Sequence, residues 1–118
     1  MKLEPDLIKK ILIAYEALPY RDPMPIQISG YTEDQLNYHQ ELLIDAGFLM
    51  AEIERYITGR INISPKGLTL DAHKFLDAHR DDTHWEKVKS RMLMFGGSVM
   101  EVARPLLVAF LKDLLHLD

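Results

Sequence analysis

Leu7, Ile8, Ile11, Leu12, Tyr15 and Leu18 recur in three- and four-residue steps. That spacing gathers side chains on one side of an α-helix and predicts a helix over residues 3–18. Pro5 suits a first turn, where its missing N–H costs nothing, and Glu4 and Asp6 complement the positive end of the helix dipole. Pro19, Pro23 and Pro25 then stop the helix and impose an extended connection. Ile26-Gln27-Ile28-Ser29 alternates apolar and polar up to Gly30, which predicts a short strand. Thr32-Glu33-Asp34-Gln35 has the spacing of a capping box and opens a helix running to about Ala46. Leu36, His39, Leu42 and Leu43 share one face of that helix, and Gly47 stands where a left-handed residue would close it.

Residues 48–57 then read as a strand, Thr58-Gly59 as a turn, and Arg60-Ile61-Asn62-Ile63 as the return strand of a hairpin. Thr69 can cap a further helix containing Leu70, His73, Phe75, Leu76 and Ala78. Arg80-Asp81-Asp82 interrupts it, and Thr83-x-x-Glu86 has the form of a second capping box before Trp85, Val88 and Met92. Gly96-Gly97 ends that pattern, and Ser98-x-x-Glu101 has the form of a third box. Pro105 either kinks the last helix or starts a new one. Leu106, Leu107, Phe110, Leu111, Leu114, Leu115 and Leu117 cover more than one stripe. The last helix is therefore expected to bury one face on the domain and another against a second copy.

At 118 residues the chain fits one domain, long enough to build a core without staples. It has no cysteine, which removes a thiolate zinc site, a thiol nucleophile and any disulfide. No leader pattern is legible at Met1-Lys2-Leu3-Glu4-Pro5. Glu101, Arg104, Lys112 and Asp113 interrupt the apolar C-terminal stretch, so a membrane span is not expected and the reading is cytoplasmic. Net charge is −4, unevenly spread: residues 1–58 carry five basic and ten acidic side chains, the remainder nine and eight. A nucleic-acid surface would have to be local, and the first half is a poor place for it.

The stretch Tyr38-His39-Gln40-Glu41-Leu42-Leu43-Ile44-Asp45-Ala46-Gly47-Phe48-Leu49 resembles a pattern of bacterial winged-helix regulators of the arsenic-repressor type: tyrosine-histidine-x-x-leucine-leucine-x-x-alanine-glycine-leucine. There it marks the end of the recognition helix and its turn into the wing. Leu68-Thr69-Leu70-Asp71-Ala72-His73-Lys74-Phe75-Leu76 is similar to the segment after the wing, with Ala72 where glycine is usual. Together with Met1-Lys2-Leu3 and Arg80-Asp81-Asp82-Thr83-x-Trp85-x-Lys87-Val88-Lys89, these stretches resemble an uncharacterised family of hypothetical proteins common in bacterial and prophage genomes. The resemblance implies a winged-helix-like core and a genomic setting, and no activity. The fold expected is thus α+β and mainly helical: a degenerate winged helix-turn-helix with a two-stranded wing hairpin plus C-terminal helices. Residues 1–80 would form the core, and residues 81–118 a helical extension that packs on it or dimerises. The core is degenerate because residues 30–47 leave room for one helix where a DNA-reading winged helix has two.

The would-be recognition helix contains no lysine or arginine, and its outward positions include Glu33, Asp34, Asn37, Glu41 and Asp45. Carboxylates in a first turn also have a purely structural explanation, worth roughly 0.3–1 kcal/mol each. A DNA groove would nevertheless meet four carboxylates, whereas affinity for DNA comes from neutralising phosphates. The function expected is a non-catalytic regulatory or inhibitory module, prophage-encoded, that binds a protein partner through Glu33, Asp34, Asn37 and Glu41. The alternative is a winged-helix DNA-binding transcriptional regulator using Arg55, Arg60, Lys66, Lys87, Lys89 and Arg91. No cofactor, metal or catalytic residue is expected. His39 reads as a partly buried histidine bonded to backbone. The run His79-Arg80-Asp81-Asp82-Thr83-His84 reads as helix-capping material rather than a cation site. Gly96-Gly97 lacks the surroundings of a phosphate loop.

Overall fold

The computed structural model describes residues 2–96 and 104–114, without the side chains of residues 95 and 96. The elements are α1 (Pro5–Glu16), α2 (Glu33–Asp45), β1 (Leu49–Arg55), β2 (Ile61–Leu68), α3 (Leu70–Ala78), α4 (Asp82–Gly96) and α5 (Arg104–Leu114). They form a mainly helical α+β fold around a two-stranded sheet.

α1 is the hub. Pro5 occupies its first turn, and Leu7, Ile8, Ile11, Leu12 and Tyr15 are buried, as their spacing predicts. It packs on α2, α3, α4 and β2. Full burial of an aliphatic side chain contributes roughly 1.5–3 kcal/mol, so this face alone accounts for much of the core's cohesion. One apolar cluster joins side chains from each of the five described helices to Leu49 and Leu68 of the hairpin.

α2 begins with the expected capping box: Gln35 N–H donates to Thr32 Oγ1 at 3.1 Å, and Thr32 N–H donates to Gln35 Oε1 at 2.9 Å. At its other end Gly47 adopts φ 84°. Gly47 N–H donates to Ile44 O at 3.1 Å and Phe48 N–H to Leu43 O at 2.9 Å, satisfying two orphan carbonyls. This turn feeds β1 directly. Thr69 fastens the far end of the hairpin to the same place, since its hydroxyl donates to Gly47 O at 2.6 Å while accepting Ala72 N–H at 3.1 Å to cap α3.

β1 and β2 are antiparallel, with Ile53 opposite Ile63 and Leu49 opposite Leu68. The pairing passes from Met50–Gly67 to Ala51–Pro65, so Lys66 is the extra residue of a bulge. The loop at the tip spans more than Thr58-Gly59: Tyr56 N–H donates to Arg60 O at 2.9 Å, and Gly59 has φ 88°.

Two expectations need correction. Residues 26–29 form no strand. Ile26 and Ile28 do turn inward onto the core, so the alternation reported burial correctly. Alternation carries no information about pairing, however, and Pro23 and Pro25 remove two backbone donors beside this segment. The second capping box is also displaced. His84 N–H donates to Asp81 Oδ1 at 3.1 Å, so Asp81 caps α4 and Thr83 lies inside the first turn. A carboxylate one residue before the helix satisfies an earlier orphan donor, His84 N–H, and complements the dipole better than a hydroxyl. Pro105 is the second residue of α5 as described, a helix that buries Leu107, Leu111 and Leu114 and packs on α2. Whether it kinks or starts that helix turns on residues 97–103, outside the described residues. The Ser98–Glu101 box, Leu115 and Leu117 fall outside the described residues.

Candidate interaction surface

The inward side of α2 fixes where its outward side points. His39 and Gln40 are the buried polar residues of the described core, and both bind α1. Tyr15 Oη donates to Gln40 Oε1 at 2.6 Å. Glu4 N–H donates to His39 Nε2 at 2.9 Å, and His39 Nδ1 lies 2.7 Å from Gln35 O. Those partners require the neutral ring with its proton on Nδ1, and burial holds the His39 pKa below its ordinary value. His39 thereby satisfies a donor at the start of α1, where the N-cap residue Glu4 offers no side-chain bond. The histidine expected to be structural is structural. The Tyr15–Gln40 bond went unread, although a polar residue four places after Leu36 on the apolar side of α2 was its signal.

With that side pinned, Glu33, Asn37 and Glu41 line the outward side at four-residue steps, with Asp34 beside them. The hairpin leans over this stripe. Arg55, at the end of β1, reaches back to Glu41 at 2.7 Å. Asp45 is likewise held by Arg104 of α5. Glu33 and Asp34 are exposed and make no ion pair among the described residues. The space between α2 and the hairpin tip is a groove of about 540 Å³ that touches Glu33, Asp34, Asn37 and Glu41 together with Arg55 and Arg60. A second groove, of about 430 Å³, lies alongside and shares Glu33, Asn37, Arg60 and Ile61; its other wall is residues 25–28. All four residues expected to meet a protein partner thus line one groove, in which Glu33 and Asp34 are exposed while Glu41, paired with Arg55, is only 13% exposed.

The six basic residues do not. Arg55 and Arg60 enter the α2 groove, Arg55 already paired. Lys66 sits on the bulge, six strand residues and about 20 Å from Arg60. Lys87 and Arg91 lie one helical turn apart beside a separate groove of about 250 Å³ floored by Phe75, Val88 and Leu114. Lys89 points to the other side of α4 and binds Asp6 of α1 at 3.1 Å, a bond that raises its pKa. The outward face of the hairpin adds Glu52 and Glu54, opposite Ser64 and Asn62.

The 79–84 run acts as a junction. Arg80 grips both carboxylate oxygens of Glu16, at 3.0 and 2.7 Å, and also Asp77 at 2.9 Å, holding the Glu16 pKa down. Asp81 takes the backbone and ring of His84. Among the described residues, no three histidine and carboxylate side chains are grouped to hold a metal ion, and no helix is long and apolar enough to cross a membrane.

No solved structure matches the chain. It is 30% identical over 92 residues to an uncharacterized protein of Haemophilus influenzae, an alignment covering 76% of this chain and 77% of that one. A family profile described as "Hypothetical protein (DUF2513)" matches residues 2–98. The chain belongs to the DUF2513 family of hypothetical proteins.

Proposed function

We propose that this protein is a non-catalytic regulatory or inhibitory module, of prophage origin, that binds a protein partner through the acidic side of α2. In this reading α2 and the β1–β2 hairpin are the helix and wing of a degenerate winged helix whose DNA-reading surface has been turned to protein recognition. The observation that carries it is the exposure of Glu33 and Asp34 without ion-pair partners among the described residues, at the mouth of the α2–hairpin groove. Two unit charges about 6 Å apart interact by roughly 0.7 kcal/mol even in water. A phosphate backbone entering this groove would meet that repulsion from each carboxylate, and Glu52 and Glu54 extend it over the wing. A lysine- or arginine-bearing protein surface would meet attraction instead. Such pairs steer encounter and select partners more than they add raw affinity.

The test is capture from a lysate of the source organism, followed by identification and reconstitution of the captured protein in pure form. Glu33→Lys/Asp34→Lys is expected to weaken the reconstituted complex more than tenfold, with a strong salt dependence of association. An unchanged affinity would reject the acidic side as the binding surface.

A further inference from the structure

The groove of about 430 Å³ has an unusual wall. It touches all of residues 60–63 and all of residues 25–28. Neighbouring residues of extended chain point to opposite faces, so contact with every residue in a run means that the groove follows the backbone edge. The β2 edge and the unpaired 25–28 segment therefore face each other across open space. β2 is bonded to β1 on one side, and among the described residues no backbone hydrogen bond joins its other edge to the rest of the chain. Leu36 and Ile63 give the groove an apolar floor, and Glu33 stands at its rim with Asp34 beside it. A helix laid there could not satisfy the backbone groups of β2, whereas a strand could.

We propose that this groove receives an extended segment of the protein partner, which adds to β2 as a further strand and sets a lysine or arginine against Glu33 and Asp34. The inference rests on the acidic-surface reading and names the form of the partner. Main-chain bonding supplies affinity in such strand addition, and alternate side chains supply selectivity. The four residues 60–63, Arg60 and the first three of β2, accept about 13 Å of added strand. Alternation sends one set of incoming side chains to Leu36 and Ile63 and the other toward the carboxylates. Residues 25–28 form the opposite wall and hold the segment from its far side.

The probe is a capped hexapeptide of alternating valine and lysine, compared with its valine–glutamate counterpart and titrated into isotope-labelled protein. The lysine peptide is expected to give saturable amide shifts at residues 25–28, 33–40 and 60–63, with slowed hydrogen exchange along β2. The glutamate peptide is expected to bind at least tenfold more weakly. Because the chain has no cysteine, Asn62→Cys offers a single site for a bulky maleimide; the adduct should bind the lysine peptide at least tenfold more weakly than the same variant before labelling. Absence of saturable shifts, equal binding of both peptides, binding indifferent to the adduct, or cross-strand contacts between residues 25–28 and 61–63 in the free protein would each overturn the proposal. The two readings separate cleanly. If Glu33→Lys/Asp34→Lys breaks the reconstituted complex while the Asn62 adduct does not, the acidic surface stands and strand addition falls. If the lysine peptide binds along β2 but the charge reversal leaves the complex intact, the acidic-surface reading falls.

Discussion

His39 shows how one buried residue contributes a pH-dependent part of the molecule's stability. Its ring accepts the Glu4 N–H, a bond that only the neutral form can make, and burial lowers its pKa in the folded state. The unfolded chain, with an ordinary histidine near 6.5, therefore binds more protons over the window between the two values. The stability His39 contributes is complete above about pH 6.5 and is lost as pH falls through the folded-state value. Urea unfolding at pH 7.5 and 5.0 should show wild type losing stability on acidification, with His39→Gln losing less. An equal pH dependence in the two proteins would remove this role from His39. Tyr15 and Gln40 make a second residue-level case. Tyr15→Phe leaves a buried amide oxygen unpaired and should cost about 1–3 kcal/mol. Tyr15→Phe/Gln40→Leu should recover part of that loss, which a double-mutant cycle by denaturant unfolding reads directly.

At the scale of elements, the helix starts were the most legible features, because a capping residue has a local job that sequence spacing states outright. Thr32 and Thr69 cap as their spacing predicts. Asp81 displaced Thr83 because two side chains competed for neighbouring positions and spacing alone could not rank them. Asp81→Ala should therefore cost about 1 kcal/mol, and Thr83→Ala only a few tenths, in thermal unfolding; the reverse order would restore the Thr83 box. Gly47, at φ 84°, is needed where α2 turns into β1. Nothing lies within 4 Å of a Cβ built there, so the cost of Gly47→Ala would come from the backbone, about 1–2 kcal/mol. Residues 26–29 were the least legible element. Their alternation was real, yet whether an extended run pairs depends on a distant edge that no local pattern reports.

For the molecule as a whole, the core was readable because its apolar stripes must meet something. Which stripes meet was not. α5 packs on α2, and the Asp45–Arg104 pair reinforces that contact at the surface. Leu111→Ala should cost about 2–5 kcal/mol as a buried cavity at this junction, and its unfolding should remain cooperative. The surface was half legible: the outward order of Glu33, Asn37 and Glu41 followed from helical periodicity. The pairing of Glu41 with Arg55 depends on how far the hairpin leans, and it removes one base and one acid from what a ligand would meet. The scattering of Lys66, Lys87, Lys89 and Arg91 over three sides likewise emerges only in three dimensions.

The exposed carboxylates of α2 are central to this account, and a salt-dependent titration of labelled duplex DNA probes them most directly. Wild-type protein at micromolar concentration and about 50 mM salt is expected to show no saturable binding, because too few cations converge to release counterions. Saturable binding with a steep loss between 50 and 200 mM salt, weakened by Arg60→Ala or Lys66→Ala, would contradict it.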